Sequence, residues 1–337
     1  MIKLTERACD KQRFISALKH EANAEVPYFE TEISPGVVSK ILGENITGRS
    51  YMLKPKKYID LCTACGIDLM YVHVPHSPGR REIISPDGRR ILVDGKIKSK
   101  DDLKLYVEQD TGPVRQRLDE LLSAAADTDI GWCYAFGGPA ILTAQIGYND
   151  YYALLYEDPG FVHEFLKRWY NSTLPVIETV LSYKPDAAFF SVDLCCKTGM
   201  LMSMDMAEEF VLSYLRDLMK PAIKANIPVI MHSDGDNTAL METWIDMGVD
   251  ALHPVENCGK YNIFEVKKLW GDKMALIGGI DCRLLASGTP EEIRRETKRS
   301  IDLLSVGGGY ICGSSHDIDD NVSLENLSAM IEAATDS

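Results

Sequence analysis

Eight short apolar runs, separated by amphipathic stretches of helical length, constrain this chain more than any other feature of its sequence. The runs are Val26–Ile33, Leu69–Val74, Ile130–Phe136, Ala187–Val192, Ile227–Met231, Ala251–Val255, Met274–Ile280 and Gly309–Gly313. Each is nearly continuous in apolar, β-branched and aromatic residues, the pattern of parallel strands covered on both faces. Helical patterns lie between them at Asp101–Ala125, Phe161–Tyr183, Met206–Ala225, Ala239–Met247, Pro290–Ser305 and Leu324–Ala334. Thr289 ahead of Pro290-Glu291-Glu292 has the chemistry of a helix cap and first turn. Such alternation predicts an α/β fold closed as a (β/α)8 TIM barrel. The 337 residues suffice for a single barrel domain over 1–337, with an N-terminal helical segment over 1–25. Pro-Gly and Pro-Asp-Gly turn signals predict a hairpin inserted after the second strand, over about 76–100. The stretch 150–183 reads as two helices split near Asp158-Pro159-Gly160.

Charge and cysteine usage narrow the function classes. With 36 basic against 50 acidic residues the formal net charge is −14, which repels a polyanionic backbone, so nucleic acid is not an expected partner. No apolar run approaches the roughly 20 residues that span a bilayer, and no secretory leader is read at the N-terminus. Nine cysteines, an odd number spread along the chain, suit reduced thiols and a cytoplasmic setting.

In a barrel of this kind the reacting groups sit at the C-terminal ends of the strands. The sharpest local feature there is His232-Ser233-Asp234, because side chains one residue apart on an extended segment point to the same side, like two corners of a metal site. Glu256 after the sixth run and His316 after the eighth would add a carboxylate and an imidazole on the same face. This nitrogen and oxygen set suits Zn2+, without excluding Fe2+ or Mn2+. Glu30 and Asp193 are the candidate proton donors, with Asp193 also able to orient a histidine ligand. Glu32, His73, Phe136 and Asp281 are the candidate pocket residues. Cys62-x-x-Cys65 lies in a helical pattern with no second pair to complete a zinc site, and reads as core.

Several of these segments carry a resemblance. Glu6-Arg7 to Arg13-Phe14, Val26-Pro27, Met231-His232-Ser233-Asp234-Gly235, Gly248-Val249-Asp250 and Gly278-Gly279-Ile280-Asp281 are among them. So are Gly288-Thr289-Pro290-Glu291-Glu292, Gly307-Gly308-Gly309-Tyr310, Ser315-His316-Asp317-Ile318 and Leu324-Glu325-Asn326. Together they resemble the uroporphyrinogen decarboxylase-like superfamily, and within it the corrinoid-dependent methyltransferases. The resemblance implies a (β/α)8 barrel and metal ligands at His232, Asp234, Glu256 and His316. Thiol-methylating relatives carry cysteines where this chain has Asp234 and His316. A site of two imidazoles and two carboxylates is harder than one with thiolates, and suits a metal that pulls on an ether oxygen. True uroporphyrinogen decarboxylases have an arginine-rich segment near the first strand. Here it reads Val26-Pro27-Tyr28-Phe29-Glu30-Thr31-Glu32, acidic where a polycarboxylate needs cations, which disfavours that activity.

The expectation is therefore a zinc-dependent methyltransferase that demethylates a small methylated substrate, an aromatic methyl ether, and passes the methyl group to the Co(I) of a corrinoid carried by a partner protein. A methylcorrinoid-to-tetrahydrofolate or thiol methyltransferase is the alternative within the superfamily. A non-catalytic corrinoid- or tetrapyrrole-binding protein is the alternative from another class. A homodimer is compatible with any of these.

Overall fold

In this computed structural model the described residues are 1–21, 25–76, 79–84, 90–139 and 142–336. Seven parallel strands curl into one sheet whose order follows the chain: Leu69–Val72, Gly131–Gly137, Ala187–Ser191, Val229–His232, Ala251–His253, Ala275–Ile277 and Tyr310–Ile311. Registers such as Leu69 opposite Gly131, Phe190 opposite Met231 and Leu276 opposite Tyr310 keep the strand ends level. Helices between consecutive strands cover the outside of the sheet, as parallel crossovers require.

The eighth position is filled differently from the strand expected over Val26–Ile33. Tyr28 and Ile33 make only isolated parallel bridges, to Cys312 and Ile318. Phe29 N donates to Cys312 O, and Asp68 N donates to Tyr28 O, each at 3.0 Å, so this segment lies between the last strand and the first and closes the barrel. It forms no continuous ladder because side chains take its amides. Tyr28 N donates to an Asp68 carboxylate oxygen, and Ile33 N to the Ser50 hydroxyl. Glu30 stitches the same seam. Its Oε1 accepts from Tyr28 Oη and Ser314 N, each at 2.9 Å, and its Oε2 contacts Ser314 Oγ.

Alternation along the strands builds two cores. Phe29, Leu69, Cys133, Ala135, Phe189, Ile230, Ala275 and Ile311 face one cluster inside the barrel, and their neighbours in sequence face the helices. Helix Lys11–Leu18 closes the bottom by setting Phe14 on Phe29, ring centroids 5.6 Å apart. Beside it Asp68, fully buried, accepts from Asp10 N and Arg13 Nη1 on one oxygen, and from Tyr28 N and Arg7 Nη2 on the other.

Several expected boundaries shift for local reasons. The helix expected over Asp101–Ala125 is a 3-10 turn, Lys100–Leu105, then a helix from Thr111 to Ala125 capped by Asp110. Pro113 explains the break, since it has no N–H to offer a preceding turn. The stretch from Met204 to Lys224 is helical but includes a π turn over Glu208–Leu212. The split at Asp158 is present, with Tyr148–Glu157 and Pro159–Ser182 on either side. Thr289 and Glu292 form a reciprocal cap on Pro290–Leu304. Helix Pro35–Leu42 has no counterpart among the expected elements. Within 1–25 the one described α-helix is Lys11–Leu18, and residues 22–24 lie outside the described residues. The inserted hairpin pairs Arg80–Ile84 with Arg90–Gly95 antiparallel; its expected turn at Pro86-Asp87-Gly88 lies outside the described residues. Among the described residues no helix is long and apolar enough to cross a membrane.

Candidate metal centre

Strand Val229–His232 delivers its last residue to the barrel mouth, and the loop that follows is clipped in place. Asn237 Nδ2 donates to Ser233 O at 2.7 Å, and Asp236 N donates to Cys196 O at 2.9 Å. Gly235 has φ 80°, and a Cβ there would lie 2.5 Å from Cys196 O, so only glycine fits this close approach. Asp193 reaches the same place from the preceding strand, with a left-handed φ of 42° that aspartate tolerates better than most residues.

Three side chains converge there. His232 Nε2 is 3.4 Å from Asp193 Oδ1 and 3.7 Å from Asp234 Oδ1. One ligand atom from each of Asp193, His232 and Asp234 lies within 4.8 Å of the others, the spacing of groups that share a cation. His316 adjoins this trio through Asp234, its Nε2 3.3 Å from Asp234 Oδ2. Asp234 raises His316 to about 9, whereas the Asp317 N–H aimed at Nδ1 from 2.7 Å favours the neutral ring. Burial raises Asp193, with Asp234 adding to the shift. Burial acts on Asp234 in the same sense, but the His316 hydrogen bond and nearby His232 outweigh it and hold Asp234 below the usual carboxylate range.

The residues fit a metal ion on one observation in particular. Asp234 Oδ1 is buried and has no hydrogen-bond partner, although it faces His232 Nε2. A buried carboxylate oxygen without a donor is costly unless a cation serves it.

The expected four-ligand set is redistributed. Glu256 does not join the trio: its Oε2 accepts from Gly235 N at 2.6 Å, tying the carboxylate to the loop backbone. Asp193, expected as a proton donor, takes its place beside His232. Glu30, the other expected donor, is held in the seam by Tyr28 and Ser314 and is 4% exposed. Burial raises it to about 7. Ser314 Oγ also contacts His316 O, and one hydroxyl hydrogen cannot serve both oxygens. A protonated Glu30 donating to Ser314, which donates onward to His316 O, satisfies every partner.

The expected pocket residues divide. Glu32 Oε1 accepts from Ser50 N at 2.9 Å, its Oε2 is buried without a partner, and burial raises the group to about 7. His73 and Phe136 line one small cavity with Tyr134 and Trp169, and His73 Nδ1 sits 3.0 Å from Ala135 O. Asp281 caps helix Cys282–Ser287 and forms an ion pair with Arg283 at 2.6 Å, the role of a structural loop residue.

One residue of the centre escaped the sequence reading. His253, 3% exposed, places its Nδ1 2.8 Å from His232 Nδ1, with the rings stacked at 5.1 Å. Burial first, and His232 second, hold His253 well below the ordinary imidazole range, so it is neutral. A His232 Nδ1–H donated to neutral His253 fixes the tautomer that leaves His232 Nε2 free to face the two aspartates. The available signal was the end of the neighbouring strand, where His253 pairs with His232 across the sheet.

The geometry can be set beside known proteins. A methyltransferase from Methanosarcina mazei has the same fold, with a TM-score of 0.75 over 100% of this chain and 99% of that one, at 17% identity. Uroporphyrinogen decarboxylase of Alcanivorax borkumensis is 27% identical over 188 residues, 55% of this chain and 51% of that protein. The Methylococcus capsulatus enzyme of the same name is 26% identical over 184 residues, 53% and 50% respectively. The chain thus matches about half the length of these curated relatives. The sequence pattern of the uroporphyrinogen decarboxylase (URO-D) family matches residues 87–337, more than half of the chain. By that match the chain belongs to the uroporphyrinogen decarboxylase family.

Proposed function

We propose that the protein is a metal-dependent methyltransferase that demethylates a small aromatic methyl ether and hands the methyl group to the corrinoid of a partner protein. The observation that carries this reading is the buried, donorless Asp234 Oδ1 facing His232 within a nitrogen and oxygen cluster at the barrel mouth. His232, Asp193 and Asp234 would hold a divalent ion such as zinc, with His316 beside them and Glu256 steadying the loop. When bound, the ion supplies Lewis acidity toward an oxygen.

The chain's own residues do the rest. His253 sets the tautomer of His232, and Gly235 lets the loop carry Asp234 close to it. Demethylation breaks the methyl carbon–oxygen bond; the oxygen keeps the electron pair and takes a proton. With Asp193 committed to the ion, that proton comes from water at the mouth. The methyl carbon passes to the Co(I) acceptor, a co-substrate that docks at the open C-terminal face. Relatives named as uroporphyrinogen decarboxylases make that activity the reading to test against. The closing segment Val26–Glu32 argues against it, because it carries Glu30 and Glu32 and no arginine where that activity calls for cations.

The test is metal analysis of protein purified without added metal, followed by incubation of methoxyarenes with Co(I) cobalamin. Bound metal together with methyl transfer from an aryl ether is the expected result. Decarboxylation of uroporphyrinogen, or thiol methylation from methylcobalamin with no methoxyarene consumed, would overturn the assignment. A His232→Ala, His316→Ala double variant that retained full metal would remove the proposed site.

A further inference from the structure

The loop that carries Asp234 beyond its strand is fastened along its backbone, and one side chain does most of the fastening. Ser233 N donates to His253 O at 3.0 Å, Gly235 N to Glu256 Oε2 at 2.6 Å, and Asp236 N to Cys196 O at 2.9 Å. The carbonyls of the same loop converge on Asn237. Its Nδ2 donates to Ser233 O at 2.7 Å and lies 3.3 Å from both Asp234 O and Gly235 O. Three carbonyl oxygens around one nitrogen fix which end of the amide is which, since only the NH2 end can donate. Asn237 is fully buried, and its Oδ1 has no hydrogen-bond partner. The residue serves this place as a donor alone.

Helix capping does not account for Asn237. It directly precedes the 3-10 turn Thr238–Leu240, a position where asparagine caps with its side-chain oxygen, yet its side chain makes no cap bond. Asp236 takes that task instead, its Oδ1 accepting from Thr238 N at 2.9 Å. The Asn237 side chain is thereby released to reach back to residues two, three and four positions earlier. Leaving its own oxygen buried and unpaired is a cost that capping would have avoided. What that cost secures is the backbone on either side of Asp234.

We infer that Asn237 is a positioning residue of the metal centre. By gathering the Ser233, Asp234 and Gly235 carbonyls on one donor, it sets the direction in which the Asp234 side chain leaves the loop, and so its fit beside His232 and Asp193. The bonds made by its Nδ2 all go to main-chain oxygens, so Asn237 acts through the backbone and not on a ligand atom. Ligand groups held this way bind an ion without first having to be ordered. The inference rests on the proposed metal centre for what the loop holds, and on the loop's own hydrogen bonds for how it is held.

Two readings test it. Zinc affinity is measured by competition with a chromophoric chelator, and loop order by amide hydrogen exchange in metal-free protein. The variants are Asn237→Leu, which keeps the size and removes the donor, and Asn237→Ser, which keeps one shorter donor. Tyr261→Phe is the control, because Tyr261 is a buried neighbour whose hydroxyl bonds none of these carbonyls. Asn237→Leu is expected to bind zinc about tenfold to a hundredfold more weakly, with Asn237→Ser recovering part of the loss. The Asp234, Gly235 and Asp236 amides should exchange roughly tenfold faster in Asn237→Leu, with those of Tyr134 and Phe190 unchanged. Tyr261→Phe should leave both readings at the wild-type level. Wild-type zinc affinity in Asn237→Leu, unchanged exchange of the loop amides, or an equal loss in Tyr261→Phe would overturn the positioning role. If the wild type binds no zinc, the metal centre falls, and faster loop exchange in Asn237→Leu still establishes that Asn237 sets the loop. Circular dichroism checks folding, and Asn237→Ser carries both readings should Asn237→Leu fail to fold.

Discussion

Two aspartates at opposite ends of the barrel, one fully buried and one a third exposed, make a direct comparison. Asp68 at the bottom has four donors, two backbone amides and two arginines, spread evenly over its oxygens. Asp234 at the mouth has one imidazole on Oδ2, no hydrogen bond on Oδ1, which only faces His232 from 3.7 Å, and a second carboxylate close by. The first arrangement is closed: every lone pair has a use within the fold. The second is open, and makes chemical sense only with something added from outside. The same side chain thus serves stability where its partners are complete and chemistry where they are not.

The comparison breaks most visibly at Asp68. Asp68→Asn leaves Arg7, with its side chain 6% exposed, and Arg13 facing a neutral amide. Urea unfolding is expected to show a loss of about 3–5 kcal/mol, the cost of stranding buried charge. A loss below about 1 kcal/mol would mean that the bottom cluster does not hold the barrel.

A smaller effect comes from the seam. Glu30 has a folded pKa raised by burial from 4.5 to about 7, so the folded state holds its proton more tightly than the unfolded chain does. Its stabilising contribution is complete below pH 4.5 and is lost as pH rises to 7, amounting to about 3 kcal/mol. Glu30→Gln mimics the protonated form and should flatten that slope, read from unfolding curves at pH 5 and pH 8. An unchanged slope would place the titration elsewhere, with Glu32 the next group to examine.

At the mouth, His253→Phe keeps a ring in the stack but removes the partner of His232 Nδ1. Zinc affinity is expected to fall about tenfold to a hundredfold, with His253→Gln retaining more of it. Competition with a chromophoric chelator reads this without reference to activity, and equal affinities in the two variants would deny His253 its positioning role.

The smallest effect sharpens the contrast with Asp68. Asp234→Asn in metal-free protein is expected to change stability by less than about 1 kcal/mol, because one oxygen loses nothing and repulsion from Asp193 is relieved. A cost like that of Asp68→Asn would make both aspartates structural.

Much of the barrel was legible because buried parallel strands write themselves as continuous apolar runs. Ala187–Val192 and Ile227–Met231 land within two residues of their strands. The closing segment was harder to read because Asp68 and Ser50, side chains far along the chain, take the amides a ladder would use. His232 and Asp234 were legible from their spacing, which fixes a common side. The exchange of Glu256 for Asp193 was not, since it depends on which backbone N–H reaches a carboxylate first. His253 was silent for a related reason: its role lies in a neighbour, His232, that sequence spacing does not reveal.

The hairpin gives the molecule a second level of persistence. Its two strands pair only with each other, and Ile83, Ile84, Ile91, Leu92 and Val93 are all exposed, so little burial holds it. Its tether is at the base, where Lys96 N donates to Gly79 O and the buried Ile97 donates to Gln145 O. Such a ribbon opens at a free energy well below that of the barrel. Amide hydrogens of Ile83 and Leu92 should therefore exchange long before those of Tyr134 or Phe190. A protease that nicks the ribbon would then cut the chain at one exposed place while the barrel stays folded around its tether at Gly79 and Lys96.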